Sequence, residues 1–163
     1  MWNYIKLSIC SIVSCVILQS GAVAQQLEIK RYNPTPWTKG RFTEVVTVTG
    51  PGKTIYLAGI GAEDEKTTPG SNPPTLHAGN PYEQCRYAYD KIKRQLAAHG
   101  ATLADVVRQV VYVTDPRFQS PVRKCRDEAY GNSPIPVNTF LVVGGLASPT
   151  MLLEIDITAV VAK

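Results

Sequence analysis

Two carboxylates, Glu154 and Asp156, alternate with Leu152, Thr158 and Val160 near the end of the chain. The residues between and beyond them, Leu153, Ile155, Ile157, Ala159 and Val161, are all apolar. Side chains of an extended strand alternate between faces, so a wholly apolar face backs one that mixes carboxylates with Leu and Val. A solvated edge does not read this way: one face is covered by core, and the other meets a partner or a pocket. A carboxylate there is available for proton transfer or for an ion pair across an interface. Cys85 and Cys125 are the second chemical pair, readable as a disulfide or as two buried free thiols that pack as small hydrophobes. A bridge between them would stabilise by at most roughly 4 kcal/mol on the chain-entropy model. His77 falls in a loop and His99 in a last helical turn, where a cation suits the dipole. Two isolated histidines make no metal site, and neither metal nor cofactor is expected.

The elements that must position these residues follow from composition and periodicity. With 163 residues, 44% hydrophobic and 18% charged, the chain is long enough for one domain with a real core. The net charge of +4 is mild. The two basic clusters, Lys91, Lys93 and Arg94 and then Arg123, Lys124 and Arg126, read as solvated helix faces diluted by Asp90, Asp127 and Glu128. No base-reading module is present, so nucleic acid is not an expected partner.

Residues 1–24 carry Lys6, an apolar run from Leu7 to Leu18 and then Ala22-Val23-Ala24, the pattern of a secretory signal peptide with a small-residue cleavage site. The run is too short to span a bilayer. A lipoprotein signal ending at Cys15 fits less well, because it would cut the apolar run in half. The mature chain is expected to start at Gln25 and to work in the periplasm or outside the cell, with no membrane association after cleavage.

Residues 25–40 read as an extended arm with two prolines, and residues 41–163 as the domain. Arg41 to Thr49 and Lys53 to Gly61 read as two strands joined in a hairpin at Gly50-Pro51-Gly52. Glu63 to Asn80 is a long polar loop. A helix opens at Pro81, capped by Asn80, and stops at Gly100, with Cys85, Ala88, Tyr89, Ile92 and Leu96 on one face. Asp105 to Thr114 reads as a central strand. Phe118 to Tyr130 reads as a second helix with Val122, Cys125 and Ala129 inward. Val137 to Val143 and Met151 to Val161 complete an order ββαβαββ: an α/β (α+β) fold with one mixed sheet and both helices on one face. The other face would carry Val106, Val110, Tyr112, Phe140, Val142, Leu152 and Val160, with Asn138, Glu154 and Asp156 among them. That much apolar surface predicts an oligomer whose sheets pack inward.

From about Arg41 to Lys163 the chain resembles the RidA (YjgF) family of reactive-intermediate deaminases. The resemblance rests on Tyr56-Leu57-Ala58-Gly59, on Gln84, on Ala98 to Val107 and on Leu153-Glu154-Ile155-Asp156-Ile157-Thr158-Ala159. It implies a chorismate-mutase-like RidA fold, a homotrimer, and clefts between subunits that hold small carboxylated molecules. It also implies hydrolysis of enamines and imines to ketoacids and ammonia without metal or cofactor. The match departs at the site. The family's carboxylate-anchoring arginine corresponds to Asn138, a neutral amide that cannot form the bidentate charged pair. The cysteine two residues on corresponds to Phe140, and Ser-Gly-Gln corresponds to Ala58-Gly59-Ile60. Glu154 matches the glutamate that orients water, and Phe118 matches the aromatic that begins the second helix.

Asn138, Thr139, Phe140, Ala58, Gly59 and Phe118 are therefore the expected ligand-binding residues and Glu154 the candidate catalytic one. Three readings follow. The chain binds a small metabolite in intersubunit clefts without typical imine deamination. Alternatively, it is a divergent, cofactor-independent hydrolase of C–N bonds using Glu154. In the third, it is a structural or protein-binding trimer in which Glu154 pairs with a neighbour's Lys or Arg.

Overall fold

The alternating segment at the end of the chain becomes the buried middle of a four-stranded sheet. The computed structural model describes residues 25–163, so the signal peptide expected over residues 1–24 lies outside the described residues. In chain order the strands are β1 (Glu28–Tyr32), β2 (Val45–Thr49), β3 (Gly52–Ile60), β4 (Val106–Val113), β5 (Val137–Val142) and β6 (Leu153–Ala162). The helices are α1 (Pro81–Ala98) and α2 (Gln119–Tyr130). The main sheet runs β3-β6-β4-β5, with β6 antiparallel to both neighbours and β5 parallel to β4 across the α2 crossover.

The fold is mixed α+β with two helices, as expected, but its strands divide between two sheets. The hairpin expected between β2 and β3 is replaced by a two-stranded antiparallel sheet in which β2 pairs with β1. The segment read as an unpaired arm thus supplies a strand. The alternation of Glu28, Lys30 and Tyr32 outward with Ile29 and Arg31 half-buried was the missed sign.

α1 begins where the sequence requires it. Asn80 Oδ1 accepts from the Glu83 backbone N–H (3.1 Å), Pro81 occupies the first turn, and Gly100 follows with φ +75°. Its inward stripe joins Val122 and Cys125 of α2 and the inward residues of β3, β4 and β6 in one core. Cys85 and Cys125, both buried, are joined as a disulfide across the two helices.

Two departures in register move residues to the other side of the sheet. A bulge between Val106 and Arg108 turns Val106 into the core, while Val110 and Tyr112 keep the opposite face. In the parallel pairing of β5 with β4, Gln109 stands beside Asn138 and Val111 beside Phe140. Gln109 and Val111 face the helices, so Asn138 and Phe140 face them too, and Thr139 and Leu141 take the helix-free side. The helix-free face is accordingly less apolar than expected. It keeps Tyr112, Val110 and Val160 with Glu154, Asp156 and Thr158, and also carries Tyr56 and Arg108.

Candidate functional site

Glu154 sits on the helix-free face in a cleft of about 370 Å³, lined also by Gly59, Tyr112, Val143, Gly145, Leu146 and Asp156. The approach of β3 makes this possible. Its pairing with β6 shifts between Leu57 and Ile60, bringing Gly59 directly over the carboxylate. A Cβ on Gly59 would lie 1.6 Å from Glu154 Oε1, so only glycine leaves room for it there. The entry to β6 is clamped by buried Gln84, which accepts from the Leu152 N–H (2.8 Å) and donates to the Thr150 carbonyl (2.9 Å).

The electrostatics single out Glu154. Asp156 lies 3.7 Å from Arg108, and Glu63 is paired with Lys91 at 2.9 Å. Glu154 has neither an ion-pair nor a hydrogen-bond partner among the described residues. Burial, followed by the charges of Glu63 and Asp156, pushes its carboxyl above the ordinary value. Both charged groups lining the cleft, Glu154 and Asp156, are acids. A carboxylate of this kind can accept a proton from a bound water.

Asn138 belongs to a different environment. Its Oδ1 accepts from Gln109 Nε2 (2.7 Å), while Gln109 Oε1 accepts from both the Tyr89 and Tyr130 hydroxyls (3.1 and 3.0 Å). Gln109 is fully buried, and its amide ties β4 to both helices and to Asn138. Burial drives both phenols well above their ordinary pKa, so they remain donors throughout the physiological range.

Asn138 and Phe140 line a second cleft of about 300 Å³ between β5, α2 and the 36–42 segment. Its apolar lining is Val111, Val122, Phe42, Phe140 and Trp37, and its cations are Arg41, Arg123 and Arg126. Arg126 does not belong to a solvated helix face as expected. It is 6% exposed, paired with Asp127 Oδ1 (2.6 Å) and donating to the Arg41 carbonyl (2.9 Å). Its position four residues after inward Val122 is the sign that could have revealed this.

The expected site residues are thus divided. Gly59 and Glu154 share one cleft, while Asn138 and Phe140 share another on the opposite face of the sheet. Phe118 packs against the core. Ala58 and Thr139 are exposed and line neither cleft. The reading that set Asn138 on the same face as Glu154 is corrected by the β4–β5 register. Tyr112, Trp37, Arg41, Arg123 and Gln109 were not among the expected site residues. Among the described residues no cluster of three or more His, Cys, Asp or Glu side chains could hold a metal, and no helix is long and apolar enough to cross a membrane.

A family model described as endoribonuclease L-PSP matches residues 33–161. Among solved structures, the Rid-family protein YyfB of Yersinia pestis is 26% identical with a TM-score of 0.71, covering 82% of this chain and 98% of that one. A YjgF/YER057c/UK114 family member from Mycobacterium tuberculosis is also 26% identical (TM-score 0.55; 82% of this chain, 100% of that one). A YjgF-family protein from Neisseria meningitidis is likewise 26% identical (TM-score 0.54; 82% and 94%).

Proposed function

The chain belongs to the endoribonuclease L-PSP family, that of the Rid and YjgF proteins, and from that premise we propose that it binds a small metabolite in crevices between copies of itself, without the imine deamination usual for such proteins. The observation that carries this reading is the state of position 138. Where a carboxylate-anchoring arginine would stand, a neutral amide is already hydrogen-bonded to buried Gln109. Neither the charge nor the bidentate geometry of a guanidinium is available from it. Association of copies, in this proposal a trimer, is what brings an Asn138 cleft to a Glu154 cleft, since one chain holds them on opposite faces. Export from the cytoplasm belongs to the same proposal. It is supported by the signal-like residues 1–24 and by the Cys85–Cys125 disulfide, a bond that persists in oxidising compartments.

A second reading is favoured by Glu154 itself: hydrolysis of a C–N bond in a neutral or cationic substrate. The unpaired carboxylate, raised in pKa and held against the Gly59 backbone, suits a group that steers a water. One set of measurements separates the two. The purified protein is assayed for ammonia release from amino-acid-derived imines and from neutral imines, and for thermal shifts with small carboxylates, amides and amines. Shifts without turnover support binding alone. Turnover lost in Glu154→Gln supports hydrolysis. Silence in both assays rejects both readings and leaves a structural trimer.

A further inference from the structure

We propose that Lys91 is a positioning residue for Glu154, reaching from α1 to the end of β3 and fixing, through the Gly61 carbonyl and the Glu63 carboxylate, the strand and the charge that confine it. This rests on the reading that Glu154 steers a water. It adds the residues that set where that carboxylate lies and what it faces.

The basic cluster of α1 reads in the sequence as a solvated helix face, but Lys91 is 7% exposed and belongs to the buried side of that helix with Ala88 and Ile92. Its ammonium donates to the Gly61 carbonyl (3.1 Å), the Glu63 carbonyl (3.1 Å) and Glu63 Oε2 (2.9 Å). An ammonium has three donors, so these contacts use all of them. Burying a cation is costly unless it is paired and hydrogen-bonded. A methionine would fill the same space on α1 without that cost. What the ammonium adds is a fixed position for residues 61–63. Further along, the Glu65 N–H donates to the Tyr87 hydroxyl (3.4 Å) and the Glu65 carboxylate pairs with Arg94, so α1 fastens the chain beyond β3 at successive points.

That fixed position reaches Glu154 by two routes. The first is steric. Leu57 pairs with Ile157 and Ile60 with Ile155, so β3 carries one extra residue in a bulge, and Gly59 within it lies over the carboxylate. Lys91 holds the chain immediately beyond that bulge. Gly61 is closed in from the other side as well, where a Cβ would fall 2.7 Å from Met151 Sδ and 3.2 Å from the Leu153 carbonyl oxygen. The end of β3 is thus clamped between α1 and the residues that lead into Glu154. The second route is electrostatic. The Glu63 carboxylate pushes the Glu154 carboxyl upward, after burial and ahead of Asp156. The other titratable or charged groups facing it are Asp156 on its own strand and Tyr112 and Arg108 on β4, with Arg108 engaged by Asp156 at 3.7 Å. With its three donors spent, Lys91 holds Glu63 in place without forming an ion pair to Glu154.

Carboxyl-carbon NMR titration of Glu154 in the purified protein tests this. Loss of the Lys91 cation alone would raise the Glu154 midpoint, whereas release of β3 and of Glu63 toward water lowers it. Lys91→Met should therefore lower the midpoint toward the ordinary carboxylate value. Glu63→Gln removes the neighbouring negative charge and should lower it as well. Lys93→Met, at an exposed position of the same helix, should leave it unmoved. An unchanged or raised midpoint in Lys91→Met, or an unchanged one in Glu63→Gln, overturns the proposal. If Lys91→Met does not fold, Glu63→Gln decides alone. Where the wild type releases ammonia, both variants should lower kcat about threefold or more, leave KM little changed and displace the pH profile toward acid. Turnover with a wild-type pH profile beside unmoved midpoints overturns this proposal and leaves the Glu154 reading standing. Midpoints that move as expected in a protein without turnover do the reverse.

Discussion

Asn138 and Glu154 stand on opposite faces of one four-stranded sheet. Asn138 is bound to Gln109 on the helix side, and Glu154 lies beneath the Gly59 backbone on the other. A single copy therefore cannot bring both to one ligand, and a site using both must be assembled from neighbouring copies.

Subunit mixing reads this directly. Asn138→Arg should create or raise imine hydrolysis by restoring a carboxylate anchor. The double variant Asn138→Arg/Glu154→Gln should be inactive by itself. Mixed with wild-type chains under conditions that exchange subunits, it should release ammonia, because an arginine from one copy then meets Glu154 of another. If Asn138→Arg is active but the mixture is silent, the two positions do not share a site across copies.

The pH dependence of stability follows from the raised Glu154 carboxyl, shifted first by burial and then by Glu63 and Asp156. An acid whose folded-state pKa lies above its unfolded value is held more tightly protonated by the fold. Its contribution becomes unfavourable as pH rises from the ordinary carboxylate range through the folded pKa. Glu154→Gln is neutral throughout and escapes that loss. Its melting temperature should match wild type in acid and exceed it at neutral pH. A variant less stable than wild type at neutral pH would instead mean that Glu154 forms an ion pair with a neighbouring copy.

The disulfide closes a separation of 40 residues between two helices of the same core. Removing it with Cys85→Ala/Cys125→Ala should cost up to roughly 4 kcal/mol, a fall in melting temperature on the order of 10 °C. Thermal unfolding with and without reductant checks this. Reductant should lower the wild type toward the double variant and leave the variant unmoved.

Gln109 is the polar centre of an otherwise apolar strand. Gln109→Leu would deprive the buried Tyr89 and Tyr130 hydroxyls of their acceptor and free Asn138 from its donor. The expected loss is roughly 2–4 kcal/mol, the cost of leaving two or so buried groups unsatisfied. Chemical denaturation measures it. A near-neutral result would mean that water replaces the lost amide.

How far the sequence carried this depended on whether the signal was local. The helices, their inward stripes, the Asn80 cap and the apolar face of β6 were legible because each is written in spacings of two to four residues. The side on which Asn138 falls was not. It depends on the register of β5 against β4, which is set by the crossover between them rather than by the alternation of β5 itself. Val106 was misplaced for a similar reason, since a single bulge reverses the phase of everything before it. The arginines of the second cleft gave only a faint sign. Arg126 shares the inward stripe of α2, but Arg41 reaches the cleft through a loop whose path is fixed by Glu44 and Thr43.

Gly59 offers the sharpest test of the Glu154 cleft, because it changes the site without touching its charge. A methyl at position 59 would fall 1.6 Å from Oε1 and 2.5 Å from Cδ of Glu154, so the whole carboxylate must swing away. Gly59 is exposed and needs no left-handed backbone, so Gly59→Ala should alter the melting temperature little. If the position of the carboxylate matters, Gly59→Ala should reproduce any loss of turnover or of ligand-induced stabilisation that Glu154→Gln produces, despite retaining the acid. Its carboxyl, moved toward water, should titrate closer to the ordinary value, which carboxyl-carbon NMR can follow. Wild-type behaviour in Gly59→Ala, beside an impaired Glu154→Gln, would show that charge in the cleft suffices and placement does not. A variant that loses both its fold and its function would mean that the close approach of β3 to β6 is a packing requirement first.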